Sequence, residues 1–406
     1  MTLLNTVFRQ ILPRMNIMLI NQLAMLISLP WLTSHLTLQT FGHIATGIII
    51  VQIIWIISGW GVMNYVVEVW NDLKGLEEEN FIITQILYLK LSLTIVALIA
   101  IFILIYFNIV QLPWVFFFCL IPSAFAGMLP LWFYHVNKCP HELVVATLIP
   151  KVLFLILILC LVNQEARAHW FFLIQGLSFL LTTCYAFYQM KKKYHFRACP
   201  ANPIKIHSLF KKCFPYYLNM ITTEQMNSIW GLCLVIGAGP IAIAYYNLSD
   251  QAYRAGSLIT NTVAQVVRVN IIHTTLTEAW SLVSKLILTV IFFAIAAWLL
   301  LDNIVDSVMP ENYHAALPYI RMMIGVWLLQ SCIKFLNYPI LGKIIGVDAL
   351  NRLNTFMLSG HIFLMVFWLW MFNDLTSLIS LFMAMSVFHL SYFLLMTLFS
   401  SSTTNR

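Results

Sequence analysis

The sequence predicts an all-α integral membrane protein with about twelve transmembrane helices, on three observations. First, 61% of the 406 residues are hydrophobic and only 9% are charged, whereas a soluble domain carries about 25% charged residues to solvate its surface. Second, runs without charge such as Leu91–Phe107 approach the length of helix that crosses a bilayer core about 30 Å thick. Third, these runs lack the alternation of a barrel strand, so helices remain as the spanning elements.

Hydropathy and loop charge together predict the topology. We place spans at about 11–32, 42–67, 81–107, 113–135, 142–162, 169–190, 214–236, 240–266, 283–301, 316–338, 353–372 and 375–398. With the N-terminus inside, sixteen of the 22 Lys and Arg residues fall on cytoplasmic segments or at the cytoplasmic ends of spans, Arg167 alone falls outside, and five lie deeper within spans. Because cytoplasmic loops are enriched in Lys and Arg, this bias predicts that both termini are cytoplasmic. The net charge of +7 is therefore a topology signal and does not indicate nucleic-acid binding.

The longest polar segment predicts how the chain is divided. Residues 191–213 include Lys191–Lys193 and Pro200–Pro203, and we predict a basic cytoplasmic linker there. It separates an N-terminal six-helix bundle at 1–190 from a C-terminal six-helix bundle at 214–406. Since six is even, both bundles enter the membrane in the same orientation, as in transporters built from parallel repeats.

Seven charged residues lie away from the ends of the predicted spans, where charge usually faces a bundle interior or a water-filled cavity. They are Lys90, Lys151, Glu224, Asp250, Arg254, Arg321 and Lys334. The excess of cations predicts a basic cavity that suits an anionic substrate.

Each of these charges also has a structural interpretation. Lys151 and Glu224 lie near mid-span and are the best functional candidates, while Lys334 is expected to extend to the interface. For Lys90 and Arg321 both interpretations stay open. Asp250 and Arg254 are four residues apart, so they are expected to neutralise one another, and that pairing is compatible with lining a cavity.

The sequence gives no signal for disulfide bonds, metal binding, nucleotide binding or catalysis. The eight cysteines have no paired spacing, and neither a metal-ligand cluster nor a phosphate-binding glycine loop is present. The loops are short and leave little room for an extramembrane catalytic domain. We therefore predict a non-enzyme with no catalytic residues, no metal site and no cofactor.

Motifs in the first half of the chain match a known family in order and spacing. Phe41–Gly42 follows the first span, and the second span ends in Ser58–Val62 with Glu68 just beyond it. Pro130–Tyr134 ends the fourth span. These segments are similar to the Phe-Gly turn, the glycine-bearing second span and the Pro-x-Trp segment of polysaccharide transporters.

Motifs in the second half of the chain are similar to the same family. Ala244–Tyr246 and Ala252–Arg254 mark the eighth span, while Met309–Tyr313 and Ala316–Pro318 precede Arg321 before the tenth. The chain thus resembles the O-antigen and lipid-linked oligosaccharide flippases, in the superfamily that also holds multidrug and toxin extruders. One departure concerns an Asp that members often carry in the seventh span. The corresponding residue here is Asn227, with Glu224 one turn earlier.

The resemblance implies two six-helix bundles around a central cavity in a bacterial inner membrane. Such a protein passes undecaprenyl-diphosphate-linked repeat units, of O-antigen or a related surface polysaccharide, from the cytoplasmic to the periplasmic leaflet by alternating access. Besides this lipid-linked oligosaccharide and the bilayer, the polymerase and glycosyltransferases of lipopolysaccharide or other polysaccharide biosynthesis are expected partners. The substrate-binding candidates are Lys151, Arg254, Lys90 and Arg321.

Coupling and rival functions stay open at this point. Glu224 and Asp250 are the candidates for coupling to a proton or sodium gradient. The nearest alternative is a cation-coupled multidrug extruder on the same fold, although a net basic cavity disfavours cationic drugs. The alternative from another class is a membrane polysaccharide polymerase or transferase, which usually needs a larger outer loop than any predicted here.

Overall fold

The fold is known from a computed structural model, which describes residues 3–72, 75–137, 139, 142–270 and 275–404. Side chains are not described for 3–18, 71, 145, 223–224, 265–266, 268–270, 308, 338, 347–348 and 398–404. Over the described part of the chain the protein is helical and has no strand. It divides into two compact units: the N-terminal unit, residues 23–221, and the C-terminal unit, which combines 1–22 with 222–406.

The helices of the N-terminal unit follow α1, which crosses the boundary between the units. Their bounds are α1 Leu3–His35, α2 Leu38–Gly59, α3 Val62–Val69, α4 Leu76–Tyr106, α5 Trp114–Ala124, α6 Leu131–Val136, α7 Glu142–Leu161, α8 Trp170–Lys193 and α9 Pro203–Met220. Helix α8 packs against α5 and α7, and α2 packs against α4 and α5. Phe41, Ile44 and Ile54 on α2 are fully buried and form part of this unit's core.

A π-helical turn at Ile221–Gln225 leads from the N-terminal unit into the second segment of the C-terminal unit. Its helices are α10 Met226–Gly237, α11 Pro240–Asn270, α12 Leu276–Val308, α13 Leu317–Leu336, α14 Gly342–Ile345, α15 Val347–Met371 and α16 Leu375–Thr404. A second π-helical turn, Asn337–Leu341, joins α13 to α14. Helix α13 is central, because it packs against α11, α12 and α16.

Long apolar helices with lipid-facing surfaces confirm a multi-pass membrane protein. Within the described residues nine helical stretches are long and apolar enough to cross a bilayer. Side chains such as Phe292, Leu299 and Trp370 are two-thirds or more exposed, as expected of residues that contact lipid tails. The predicted spans 11–32, 214–236 and 240–266 are helical but fall outside those nine. The count of twelve and the sidedness of the termini stay predictions.

A left-handed break joins α2 to α3. Trp60 and Gly61 both have positive φ, 39° and 67°. The Trp60 ring stacks on Tyr217, with ring centroids 4.2 Å apart, and its Nε1 donates to the Phe210 carbonyl at 3.0 Å. Tyr216 donates to Glu68, the acidic residue of the second-span motif. The break therefore serves as the docking site of α9.

Part of the predicted basic linker is ordered. Asn80, Thr84 and Gln85 on α4 hydrogen-bond backbone groups of residues 197–202. Asn202 then caps α9 by accepting from the Ile204 and Lys205 amides, with Pro203 at the first helical position. A side-chain N-cap and an N1 proline are strong helix starters, so the helix begins inside the segment.

Candidate functional site

A closed polar network in the C-terminal unit joins α10 to α11. Asp250 accepts from Asn227 Nδ2 at Oδ1, 2.7 Å, and from Arg254 Nε at Oδ2, 2.5 Å. Arg254 also donates to Ser228 Oγ at 3.0 Å, and Tyr246 donates to the Asn227 carbonyl at 2.6 Å. Both oxygens of the Asp250 carboxylate are therefore occupied by donors from two helices.

The two charged residues of this network are largely removed from solvent. The Asp250 side chain is 2% exposed and that of Arg254 is 23% exposed. A carboxylate at this depth is costly unless it is paired and hydrogen-bonded, and here it is both. The predicted neutralisation of Asp250 by Arg254 is confirmed. The role of Asp250 as a coupling residue stays a prediction.

Helix α1 also contacts α11. Gln22 Nε2 donates to Gln251 Oε1 at 2.9 Å, one residue beyond Asp250. The other predicted coupling residue, Glu224, has backbone in the π-helical turn Ile221–Gln225, but its side chain lies outside the described part of the structure.

Arg321 belongs to a different pair. Its Nη2 donates to both carboxylate oxygens of Asp302, at 2.6 and 2.7 Å, and its guanidinium lies 6.0 Å from the centre of the Trp298 ring. The pair links α12 to α13 and is about one-third to one-half exposed. Among the described contacts, Arg321 therefore binds Asp302 and Trp298 and does not contact Asp250.

Lys151 on α7 is a buried cation held by aromatic rings. Its Nζ lies 3.9 Å from the centre of the Phe179 ring and 5.2 Å from that of Phe154, and the residue is 5% exposed. Trp55 packs edge-on against Phe179 with centroids 4.9 Å apart, and its Nε1 is fixed by the Ser123 carbonyl at 3.0 Å. No described residue forms an ion pair or hydrogen bond with the Lys151 ammonium.

Lys90 on α4 is also a buried cation without a described counter-charge. It is 6% exposed, its carbonyl accepts from Thr94, and its ammonium has no ion-pair partner among the described residues. Of the predicted site residues with described side chains, Asp250 and Arg254 contact each other, whereas Lys90, Lys151 and Arg321 contact none of the rest.

The prediction that Lys334 extends to the interface is wrong. Lys334 is 8% exposed and donates to Asn261 Oδ1 on α11 at 2.7 Å. Helix α13 packs against α11, so the ammonium finds a half-buried acceptor there and does not need the headgroup region.

Sequence reasoning missed a buried polar cluster between α10, α15 and α16. Trp230 Nε1 donates to His361 Nδ1 at 3.2 Å, and the His361 and His389 ring centroids are 6.3 Å apart. The signal that could have found it is the presence of two histidines within otherwise apolar predicted spans. Among the described residues no group of three His, Cys, Asp or Glu could hold a metal ion.

Solved structures share this fold. A crystal structure of MATE in the bent conformation is 12% identical, with a TM-score of 0.58, covering 98% of this chain and 96% of that one. Structures of MATE in complex with MaL6 and with Br-NRF are 13% and 14% identical, with TM-scores of 0.51 and 0.50, and cover 96% of each MATE chain and 98% and 97% of this one. No protein-family model and no curated protein sequence matches the chain. The chain therefore has a MATE-like fold, in agreement with the superfamily that the motifs resemble.

Proposed function

We propose that this protein is a membrane exporter that flips a lipid with a large anionic headgroup, namely an undecaprenyl-diphosphate-linked repeat unit of O-antigen or a related surface polysaccharide. The observation that carries the proposal is the Lys151 ammonium, buried without a carboxylate partner among the described residues and held between the Phe154 and Phe179 rings. The MATE-like fold supports the transport class, and the family resemblance supplies the lipid-linked glycan.

The physical requirement is charge compensation. A diphosphate that crosses the bilayer unaided would carry its charges through hydrocarbon, at a cost of several kcal/mol per charge. A buried cation without its own counter-charge offsets that cost when the headgroup enters, because the anion supplies the missing partner. The neighbouring rings hold the ammonium by cation–π attraction until then.

A multidrug extruder is the second candidate, favoured by the likeness to three MATE structures. The buried Lys151 ammonium argues against an extruder of cationic drugs. A buried ammonium repels a cation that enters a low-dielectric space. Anionic or neutral drugs are compatible with it.

The test is a gene-deletion strain complemented with wild type, Lys151→Met or the control Lys192→Met. Lys192 also lies over an aromatic ring, Tyr188 at 5.6 Å, but it is exposed. The measurements are surface polysaccharide, lipid-linked repeat units on each leaflet, and drug susceptibility. Flipping predicts complete repeat units stranded on the cytoplasmic face in the deletion and in Lys151→Met, and normal polymer in Lys192→Met.

Other outcomes reject the proposal. Repeat units that reach the periplasm but stay single would indicate a polymerase. Drug hypersensitivity with normal polysaccharide would indicate the extruder. Normal polymer in a well-expressed Lys151→Met strain would reject the assignment of that residue.

A further inference from the structure

Two histidines face one another inside the C-terminal unit. His361 on α15 and His389 on α16 are each 1% exposed. Their ring centroids lie 6.3 Å apart with an interplanar angle of 66°. Phe382 packs edge-on against His361 and Phe393 packs edge-on against His389, so the pair is enclosed by aromatic rings. We call His361 and His389 the histidine pair.

Trp230 determines the protonation state of one ring. An indole Nε1 can only donate, so the His361 Nδ1 at 3.2 Å must accept. In a neutral imidazole the proton is then on Nε2. A second proton on Nδ1 would turn an acceptor into a donor facing another donor. His361 is therefore held neutral while Trp230 is in place.

One ring nitrogen of His389 is buried and unpaired in the described part of the structure. Its Nε2 is fully buried and has no hydrogen-bond partner among the described residues. A buried polar atom left unpaired costs about 1–3 kcal/mol and is uncommon without a reason. Binding a proton is one reason for such a nitrogen to persist.

Among the described side chains, the neighbouring helices add no carboxylate contact to the pair. The buried titratable groups on the helices packed against α15 and α16 are Cys233 on α10 and Cys332 and Lys334 on α13. Cys233 donates to the Met365 carbonyl at 3.4 Å and Lys334 donates to Asn261. The other described charged residues of these helices are at least partly exposed. A proton on His389 would thus lie against the rings of His361 and Phe393, and none of the described residues supplies a carboxylate to hold it there.

The carboxylate that the sequence predicts as a coupling residue is less suited. Asp250 has both oxygens occupied, one by Asn227 and one by Arg254. Protonating it would break the pair and leave the Arg254 guanidinium without its carboxylate. The histidine pair can take a proton without breaking a described hydrogen bond.

We propose that His389 is a proton-binding site of this exporter and that His361 and Trp230 position it. A proton from water forms an N–H bond at Nε2 and converts the ring to imidazolium, and the same bond breaks when the proton leaves. The pair takes one proton, because a second would place two like charges side by side. Burial among aromatic rings disfavours a charged ring, so proton binding requires a state in which water reaches His389. A difference in proton affinity between two states is what couples a gradient to transport.

This inference rests on the proposed function for its transport role, whereas proton binding itself can be measured without a substrate. The experiment uses the full-length protein with ring-¹⁵N-labelled histidine in lipid nanodiscs, titrated from about pH 8 down to about pH 4. Three variants assign the spectrum: His389→Phe, His361→Asn, which keeps an acceptor for Trp230, and His207→Gln, at an exposed position on α9. His389→Phe should fold normally, since it removes an unpaired nitrogen and retains a ring against Phe393.

The expected result is that the resonance missing from His389→Phe moves from the neutral to the imidazolium shift, and that it still moves in His361→Asn. In proteoliposomes that flip the lipid-linked glycan, one pH unit should change the wild-type transbilayer ratio by up to about tenfold for one proton per cycle. His389→Phe should abolish that response, and His207→Gln should retain it.

A His389 ring that stays neutral throughout the titration overturns the inference, whatever the export assay shows. Retention of the gradient response in His389→Phe also overturns it. If His389 titrates but no glycan lipid is flipped, the proton site stands and the proposed function falls.

Discussion

The side-chain amide of Asn227 donates to Oδ1 of Asp250 at 2.7 Å, joining two helices through residues 23 apart in the sequence. Relatives suggested by the motifs often carry an Asp in the seventh span, and here the corresponding residue is an amide donor. An Asp at 227 would place a second carboxylate against Asp250 and would need a proton or cation between them. With Asn at 227, both Asp250 oxygens accept hydrogen bonds, and among the described residues Arg254 balances the charge.

Arg254→Gln is therefore expected to destabilise the protein strongly. Removing one partner of a buried ion pair costs about 3–5 kcal/mol, because Asp250 is left charged and buried. The double variant Asp250→Asn with Arg254→Gln should recover most of that loss. Unfolding midpoints of the purified protein in detergent measure both effects. Arg321→Gln is the control, since its pair with Asp302 is half-exposed and should contribute only about 0–1 kcal/mol. Equal losses in the two single variants would contradict the argument.

Lys151→Met is expected to act in the opposite direction on stability. It replaces a buried ammonium that no described residue pairs with by an apolar side chain of similar length, so the free energy of unfolding should rise by about 1 kcal/mol. Export should be lost at the same time. The readouts are the thermal midpoint and the leaflet distribution of lipid-linked repeat units. A large loss of stability would instead make Lys151 a structural residue.

Gly61→Ala is expected to loosen α9. An added Cβ would lie 2.4 Å from the Tyr217 backbone nitrogen, and φ is +67°. Left-handed backbone costs a non-glycine residue about 1–2 kcal/mol, and overpacking adds about 1–3 kcal/mol. Gly59→Ala is the matched control two residues away, because nothing lies within 4 Å of its added Cβ.

Limited proteolysis and thermal unfolding of both glycine variants measure the difference. The control should be neutral or more stable by about 0.5–1 kcal/mol, since alanine favours helix over glycine. A similar loss in both variants would mean that helix α9 does not depend on the break.

Asp374 is expected to make the start of α16 sensitive to acid. Partial burial raises the pKa of Asp374, but hydrogen bonds from the Ser377 hydroxyl and amide outweigh it and hold the pKa below its ordinary value. The stabilisation is present above about pH 3.9, the ordinary value, and is lost as the pH falls through the lowered pKa.

Unfolding midpoints measured against pH test this for wild type, Asp374→Asn and Asp374→Ala. Asn keeps a cap without a titrating group, so it should flatten the acid dependence, while Ala should cost about 1 kcal/mol at neutral pH. An unchanged acid profile in Asp374→Asn would exclude this carboxylate as the cause.

Hydropathy located most helices within a few residues, as the predicted span 142–162 and helix Glu142–Leu161 show. The reason is physical, since the bilayer sets both the length and the apolarity of a span. The pairing of Asp250 with Arg254 was also predictable, because residues four apart share one helix face.

The contacts between helices could not be predicted from the sequence. Nothing local indicates that Lys334 meets Asn261, that Arg321 meets Asp302, or that Trp230 meets His361. Each depends on which faces the bundle brings together. The start of α9 did have a local signal, Asn202 followed by Pro203, which is typical of a helix N-terminus and was interpreted as linker.

The division of the chain has a consequence for the order of assembly in the cell. The N-terminal unit is one continuous stretch, so a ribosome has delivered all of it once Ile221 is made. The C-terminal unit needs the beginning of the chain as well as its end, as the bond between Gln22 and Gln251, 229 residues apart, illustrates. Proteins fold largely in the order in which they are synthesised. Gln22 on α1 must therefore wait without this partner until α11 is made, so the C-terminal unit is completed only after the whole N-terminal unit has been synthesised.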